Sequence, residues 1–203
     1  MSSKAGFSLT ELAVVVAIIM VVTGVSLPSI SRTVDNAKLT SAAQQLASMY
    51  RAGRIQATQD NSYYLLPVFN GIQGSQICLD LDGDGVCSAT EPQAAMPSRV
   101  RLSNNGIPLE PSPATLGFTT SNLTKTESSI NYGQQGTFEP GLAWNALGLP
   151  CSRPSSTSPC SPGMAWIQYL QLRRTGGEVL YAAVTVSPTG TVHIWHYSAG
   201  SWF

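Results

Sequence analysis

Asp80, Asp82, Asp84 and Glu91 stand close together in a chain with only 11 acidic residues. The run Asp80-Leu81-Asp82-Gly83-Asp84-Gly85-Val86-Cys87-Ser88-Ala89-Thr90-Glu91 has the form D-x-D-x-D-G-x5-E. Hard oxygen donors at this spacing suit Ca2+, which takes six to eight of them. Asp80, Asp82 and Asp84 would supply carboxylates and Val86 a backbone carbonyl. Ser88 would act directly or through water, and Glu91 would close the shell with both oxygens. Gly85 allows the sharp turn. The competing reading is an acidic surface turn that holds no ion.

The loop resembles the calcium loop of an EF-hand, but only the loop. Ile77-Cys78-Leu79 before it reads as strand, and Pro92 follows Glu91, so the flanking helices are not evident. The four cysteines are Cys78, Cys87, Cys151 and Cys160. Three connectivities are possible. Cys78–Cys87 and Cys151–Cys160 are favoured because both close short loops, and a bridge restricts the unfolded chain. No Cys-x2-Cys pair is present, which argues against zinc. His193 and His196 lie three apart on one late strand and so face opposite sides of a sheet. Neither neighbours a Ser or Cys nucleophile, no catalytic constellation appears, and the reading is that the chain is not an enzyme.

These residues need a scaffold, and the composition limits which. The formal net charge is zero and only 11% of the 203 residues are charged. No strong long-range field draws the chain to nucleic acid or anionic lipid. The length allows one domain plus an appendage. The appendage is at the N-terminus. Leu12 to Val22 is unbroken apolar sequence, and from Leu9 to Leu27 the only charge is Glu11. As a helix this stretch rises about 28 Å, close to the hydrocarbon thickness of a bilayer. A secretory signal peptide would need a more basic start and a shorter core. A plain anchor leaves Glu11 unexplained, because a carboxylate at the edge of hydrocarbon needs a partner.

Lys4-Ala5-Gly6-Phe7-Ser8-Leu9-Thr10-Glu11 resembles the prepilin cleavage site of type IV pilins and type II secretion pseudopilins. The resemblance extends through the apolar run to Pro28 and covers roughly the first 50 residues. It implies that a prepilin peptidase cuts after Gly6 and methylates the new amine on Phe7. It also implies that Glu11 pairs with the Phe7 ammonium of a neighbouring subunit in a filament. A charge buried in an apolar bundle requires such a partner. The implied partners are other pilin or pseudopilin subunits, the peptidase, and the inner membrane before assembly. The implied location is the inner membrane with the head in the periplasm, then a pilus or pseudopilus. Pro28 removes a helix N–H and clashes with the carbonyl of Gly24. It marks either a tolerated kink or a segment that bends on assembly.

After Pro28 the pattern is that of an amphipathic helix. Leu39, Ala43, Leu46, Tyr50, Gly53 and Ala57 recur at steps of four and three, so they share one face. That stripe needs a partner surface. Arg51 and Arg54 read as a solvated helix face, with a binding patch as the alternative. Asp60-Asn61-Ser62 ends the pattern. The resulting division is a leader over 1–6, a transmembrane and assembly helix over 7–28, an amphipathic helix over 29–60, and an extracytoplasmic β-rich head over 61–203.

In the head, Tyr63 to Phe69 reads as one edge strand containing Pro67, and Ile77–Leu79 and Arg99–Leu102 as short strands. The clearest signals come late. Ala165–Leu172, Glu178–Val186 and Val192–Tyr197 are β-rich runs separated by Thr175-Gly176-Gly177 and Ser187-Pro188-Thr189-Gly190, so three consecutive antiparallel strands are predicted. The expected fold is α+β, with one long N-terminal helix packed on an antiparallel β-sheet head. This order resembles the GspH/FimT group of minor pseudopilins and minor pilins. Some of that group bind DNA through a Gly-Arg-x-Arg motif in the last hairpin. The corresponding Gly190-Thr191-Val192-His193 lacks both arginines, which argues against nucleic acid. The function implied is a structural subunit, with a surface-binding or DNA-binding minor pilin as the alternative. The Pro108, Pro111 and Pro113 loop region favours a minor subunit.

Overall fold

The computed structural model describes residues 8–66, 68–71, 74–82, 88–102, 107, 123–125, 142–152, 160–174 and 176–203. For residues 25–29, 65, 68–71, 74–75, 123–125, 152 and 161–162 the description is of backbone alone. One helix, α1, runs Leu9–Gln59. The strands are β1 Tyr64–Leu66, β2 Val68–Gly71, β3 Gly74–Cys78, β4 Gln93–Ala95, β5 Val100–Leu102, β6 Leu123–Lys125, β7 Leu142–Trp144, β8 Pro150–Ser152, β9 Ser161–Pro162, β10 Ala165–Arg173, β11 Val179–Val186, β12 Val192–Ser198 and β13 Ser201–Trp202. Two compact units result, residues 1–37 and residues 38–203, and the division falls inside the amphipathic part of α1.

The second unit contains the C-terminal part of α1 and the head. Its central sheet has the order β13-β12-β11-β10-β5. The hairpins β10–β11 and β11–β12 are antiparallel, with Tyr169 opposite Ala183 and Val184 opposite Ile194. β6 adds to the β10 edge in the parallel sense, the one departure from an antiparallel head among the described pairings. Two smaller sheets, β1-β7-β8-β9 and β2-β3-β4, account for the remaining described strands. The apolar run Tyr63 to Phe69 is therefore not one strand. β1 pairs with β7 while β2 pairs with β3, so the run is divided between two sheets.

The stripe read from the sequence is the docking face of the helix. Leu39, Ala43, Leu46, Tyr50, Gly53 and Ala57 are all buried, and Ala42, Ala47 and Met49 widen the face. They share one core with Val100, Leu102, Leu170, Leu172, Ala182 and Val184 of the sheet. Full burial of a residue such as Leu46 contributes about 1.5–3 kcal/mol. Trp166 Nε1 donates to Tyr50 Oη at 3.3 Å, which satisfies a buried indole N–H across that core. Gly53 is where the helix comes closest to the head. A Cβ there would lie 2.8 Å from Leu66 Cδ1 and 3.2 Å from Leu79 Cδ1 and Trp144 Cδ1, so a larger residue would force these side chains to shift.

Candidate functional site

The acidic loop follows β3 and leads into β4. Asp84 and Val86 lie outside the described residues, as do Gly85 and Cys87. Of the remaining candidates, Asp80, Asp82 and Glu91 come together. One oxygen from each lies within 4.8 Å of the others. Oxygens coordinated to one Ca2+ at 2.3–2.6 Å can be at most about 5 Å apart, so the spread suits one ion. Asp80 is fully buried, Glu91 is 8% exposed, and Asp82 is exposed.

Glu91 also has a role that the spacing motif did not suggest. Its Oε1 accepts from Leu81 N at 2.7 Å, and its Oε2 accepts from Ser88 N at 2.8 Å. The carboxylate thus ties both arms of the loop. Each oxygen keeps a second lone pair, so a bidentate ligand role is compatible with this tie. Ser88 contributes its carbonyl to Gln93 Nε2 at 2.6 Å, and its hydroxyl lies 2.8 Å from Thr90 Oγ1. β3 and β4 hold the two ends together through Cys78 opposite Gln93 and through Leu79 N donating to Pro92 O at 3.0 Å.

Cys151 and Cys160 form a disulfide with a Cα–Cα distance of 5.3 Å, beside the β8–β9 ladder in which Cys151 lies opposite Pro162. Cys78 is also disulfide-bonded, and its partner lies outside the described residues, as does the proposed partner Cys87. His193 is exposed on the outer face of β12 and its ring lies 6.4 Å from that of Trp195. His196 is on the opposite face, paired through its backbone with Phe203. Burial pushes the His196 imidazole below its ordinary range. The two histidines are thus separated by the sheet.

Arg51 is exposed, as a solvated helix face requires, whereas Arg54 is half-buried, and both reach the β11–β12 turn. Arg54 donates to Gly190 O at 2.8 Å and to Thr189 O at 3.3 Å, and Arg51 donates to Val192 O at 3.3 Å. The Arg54 guanidinium also lies 5.9 Å from the centre of the Trp144 ring. The helix therefore grips the β11–β12 turn by its carbonyls. Gly190 takes φ 82°, and a Cβ on it would meet Gly148 O at 2.8 Å. The hairpin position compared above with a DNA-binding motif is occupied in this chain by an intramolecular contact. Sequence spacing could not reveal this, because the partners are more than 130 residues apart.

At the start of α1, Ser8 N donates to Glu11 Oε2 at 3.0 Å and Thr10 N donates to Ser8 Oγ at 3.3 Å. This is a capping box, S-x-x-E, in which the two side chains satisfy amides that the first turn leaves open. The pattern is legible in Ser8-Leu9-Thr10-Glu11 and adds a second role to Glu11. Gly6 and Phe7 lie outside the described residues. From Leu9 to Gly24 every side chain is exposed, including Ile18, Ile19, Met20, Val21 and Val22. Thr23 Oγ1 donates to Ile19 O at 2.8 Å, so its hydroxyl is satisfied within the helix. The backbone remains helical through Pro28. Among the described residues, no helix is long and apolar enough to cross a membrane. Residues 25–27, which complete the apolar run in the sequence, are described as backbone alone.

Residues 1–27 match the prokaryotic N-terminal methylation motif. No curated protein and no solved structure matches the chain. The methylation motif supports a type IV pilin-like protein, made as a pilin-type precursor. It implies processing by prepilin peptidase and assembly with other pilin subunits. It indicates a structural subunit rather than an enzyme. The fold agrees, since an N-terminal helix packs on an antiparallel β-sheet head.

Proposed function

We propose that this chain is a minor subunit of a type IV pilus or a type II secretion pseudopilus, of the GspH/FimT kind, with a head stabilised by Ca2+. The observation that carries the filament role is the methylation motif on a helix that is mostly apolar and exposed all round from Leu9 to Gly24. Such a surface must be covered, by lipid before assembly and by other subunits after it. Peptidase cleavage after Gly6 would put an ammonium on Phe7, one residue before the capping box. Glu11 would then exchange its tie to Ser8 N for the ammonium of a neighbouring subunit. The subunit would sit in the inner membrane with its head outside the cytoplasm, and leave it for the filament.

The acidic loop supports the calcium reading through three carboxylates that converge, one of them fully buried. Asp80, Asp82 and Glu91 would hold the ion, joined by Asp84, the Val86 carbonyl and Ser88. The ion would cancel the repulsion among the carboxylates and fix the loop. The alternative function, a head that binds DNA through its last hairpin, is disfavoured by the absence of the two arginines and by the grip of Arg54 on that turn.

The experiment for the filament role is Glu11→Ala in the native host. The variant should accumulate in the inner membrane with its head folded and be absent from sheared filaments or pseudopili. Normal incorporation of Glu11→Ala would refute the assembly role.

A further inference from the structure

A groove of about 750 Å³ opens on the outer face of the central sheet, lined by Arg99, Arg101, Gln171, Arg173, Arg174 and Val179. The register explains the convergence. Gln171 lies opposite Arg101 on one side and opposite Tyr181 on the other, and Arg173 lies opposite Val179. Leu170 and Leu172, between them, point into the core. The alternation of strand side chains therefore places Arg101, Gln171 and Arg173 together on the outer face.

Four of the 11 basic residues of an electrically neutral chain meet in this groove. Among its described lining residues none is acidic. Glu178, from the adjoining β10–β11 turn, pairs with Arg174. The exposed guanidinium groups of Arg101 and Arg173, on one face of the sheet, repel one another, and an anion between them would relieve this. Arginine's planar fork matches the two oxygens of a phosphate or carboxylate.

Arg99 supplies an independent observation. Its backbone has φ 73°, the left-handed region that a long side chain adopts only at a cost and that glycine takes freely. Its Nη2 donates to Arg173 O at 2.7 Å, which holds it beside the other arginines. Strain of this kind at the mouth of a basic groove is a reason to look for a function there.

We propose that this groove is an oxyanion site, taking a ligand that presents two or more phosphate or carboxylate groups. It sits at the β10–β11 turn, the opposite end of these strands from the Ser187–Thr191 turn, and so is separate from the hairpin discussed above. Beyond Gln171 and Tyr181 the outer face continues through Tyr197 to Trp202, with ring centres 6.2 Å apart for Tyr181 and Tyr197 and 5.3 Å for Tyr197 and Trp202. A ligand longer than one anionic group would therefore meet the half-buried rings of Tyr181 and Tyr197 next.

The test is calorimetry on the full chain in non-ionic detergent, with three probes: tripolyphosphate, tricarballylate and an oligothymidylate. The variants are Arg101→Gln with Arg173→Gln, Arg99→Gly, and Arg32→Gln as a control outside the groove. At least one probe should bind in low salt, and the double variant should weaken it by about tenfold or more. Arg32→Gln should leave it unchanged. Arg99→Gly should weaken binding while Tm stays the same or rises, a pairing that a purely structural arginine would not give. The preferred probe then identifies the source: free phosphate, carboxylate, or a phosphodiester chain. The proposal is overturned if no probe binds at millimolar concentration, if the double variant binds as the wild type does, or if Arg32→Gln weakens binding equally. A fall in Tm with unchanged binding in Arg99→Gly also counts against it.

Discussion

Removing the carboxylate of Glu91 should destabilise the head with or without calcium, whereas removing that of Asp82 should matter only with it. Both residues belong to the same candidate ion site, but their other contacts differ. Glu91 is buried and accepts two backbone N–H groups, from Leu81 and Ser88. Glu91→Ala leaves both without that acceptor in a poorly hydrated place. Each such loss costs about 1–3 kcal/mol, so about 2–4 kcal/mol together after partial rehydration. For a domain of this size, 1 kcal/mol moves Tm by about 2–4 °C, giving a fall of about 5–15 °C in EGTA. Asp82 is exposed, and its substitution by Ala in EGTA should change stability by about 0.5 kcal/mol or less. In calcium the wild type gains about 2.7 kcal/mol at a hundredfold excess over Kd, and both variants should lose that gain. The assay is thermal unfolding of the purified chain in calcium and in EGTA, with Glu110→Ala as an acidic control. Equal EGTA melting of Glu91→Ala and wild type would refute the tie. Equal melting of the wild type in calcium and EGTA, with no binding by calorimetry, would refute the ion.

Two further outcomes follow from the same contacts. Arg54→Ala removes three contacts, to Gly190 O, Thr189 O and the Trp144 ring, and should cost about 1–3 kcal/mol. Arg54→Lys should recover only part of this, measured by chemical denaturation, because lysine lacks the planar fork that reaches Gly190 O and Thr189 O from two separate nitrogens and lies against the Trp144 ring. The His196 pKa is lower in the fold than in the unfolded chain, so below about pH 6.5 the unfolded state takes up the proton first. Stability should fall as pH drops through the interval between the two values and level off below it, and His196→Gln should flatten that slope in denaturation curves from about pH 7 to 5.

The helix stripe was legible because a 3.6-residue period survives any tertiary context. Leu39, Ala43, Leu46, Tyr50, Gly53 and Ala57 are buried on that period, with Ala42, Ala47 and Met49 beside them. The β10, β11 and β12 strands were legible because Gly-containing turns separate long β-rich runs. The small sheets were not. Tyr64 pairs with Trp144 and Ala143 with Cys151, through three-residue strands whose partners no local pattern specifies. The same distance hid Arg54's grip on Gly190 and the meeting of Arg101 with Arg173. At the candidate ion site the acids were legible by spacing, but the amides that Glu91 holds were not, since backbone donors carry no sequence signal. Ser8 and Glu11 show the reverse case, a short-range cap written in the sequence beneath a second reading of the same glutamate.

The central claim is that the chain is a pilin-type precursor whose first six residues are removed. Intact-mass analysis of the protein isolated from its native host tests it most directly. The account predicts a mature chain that begins at Phe7 and carries one additional methyl group on its amine, with the mass lowered further by the hydrogens lost to the disulfides. A chain that retains Met1 to Gly6, or one cut beyond Leu27, would contradict it.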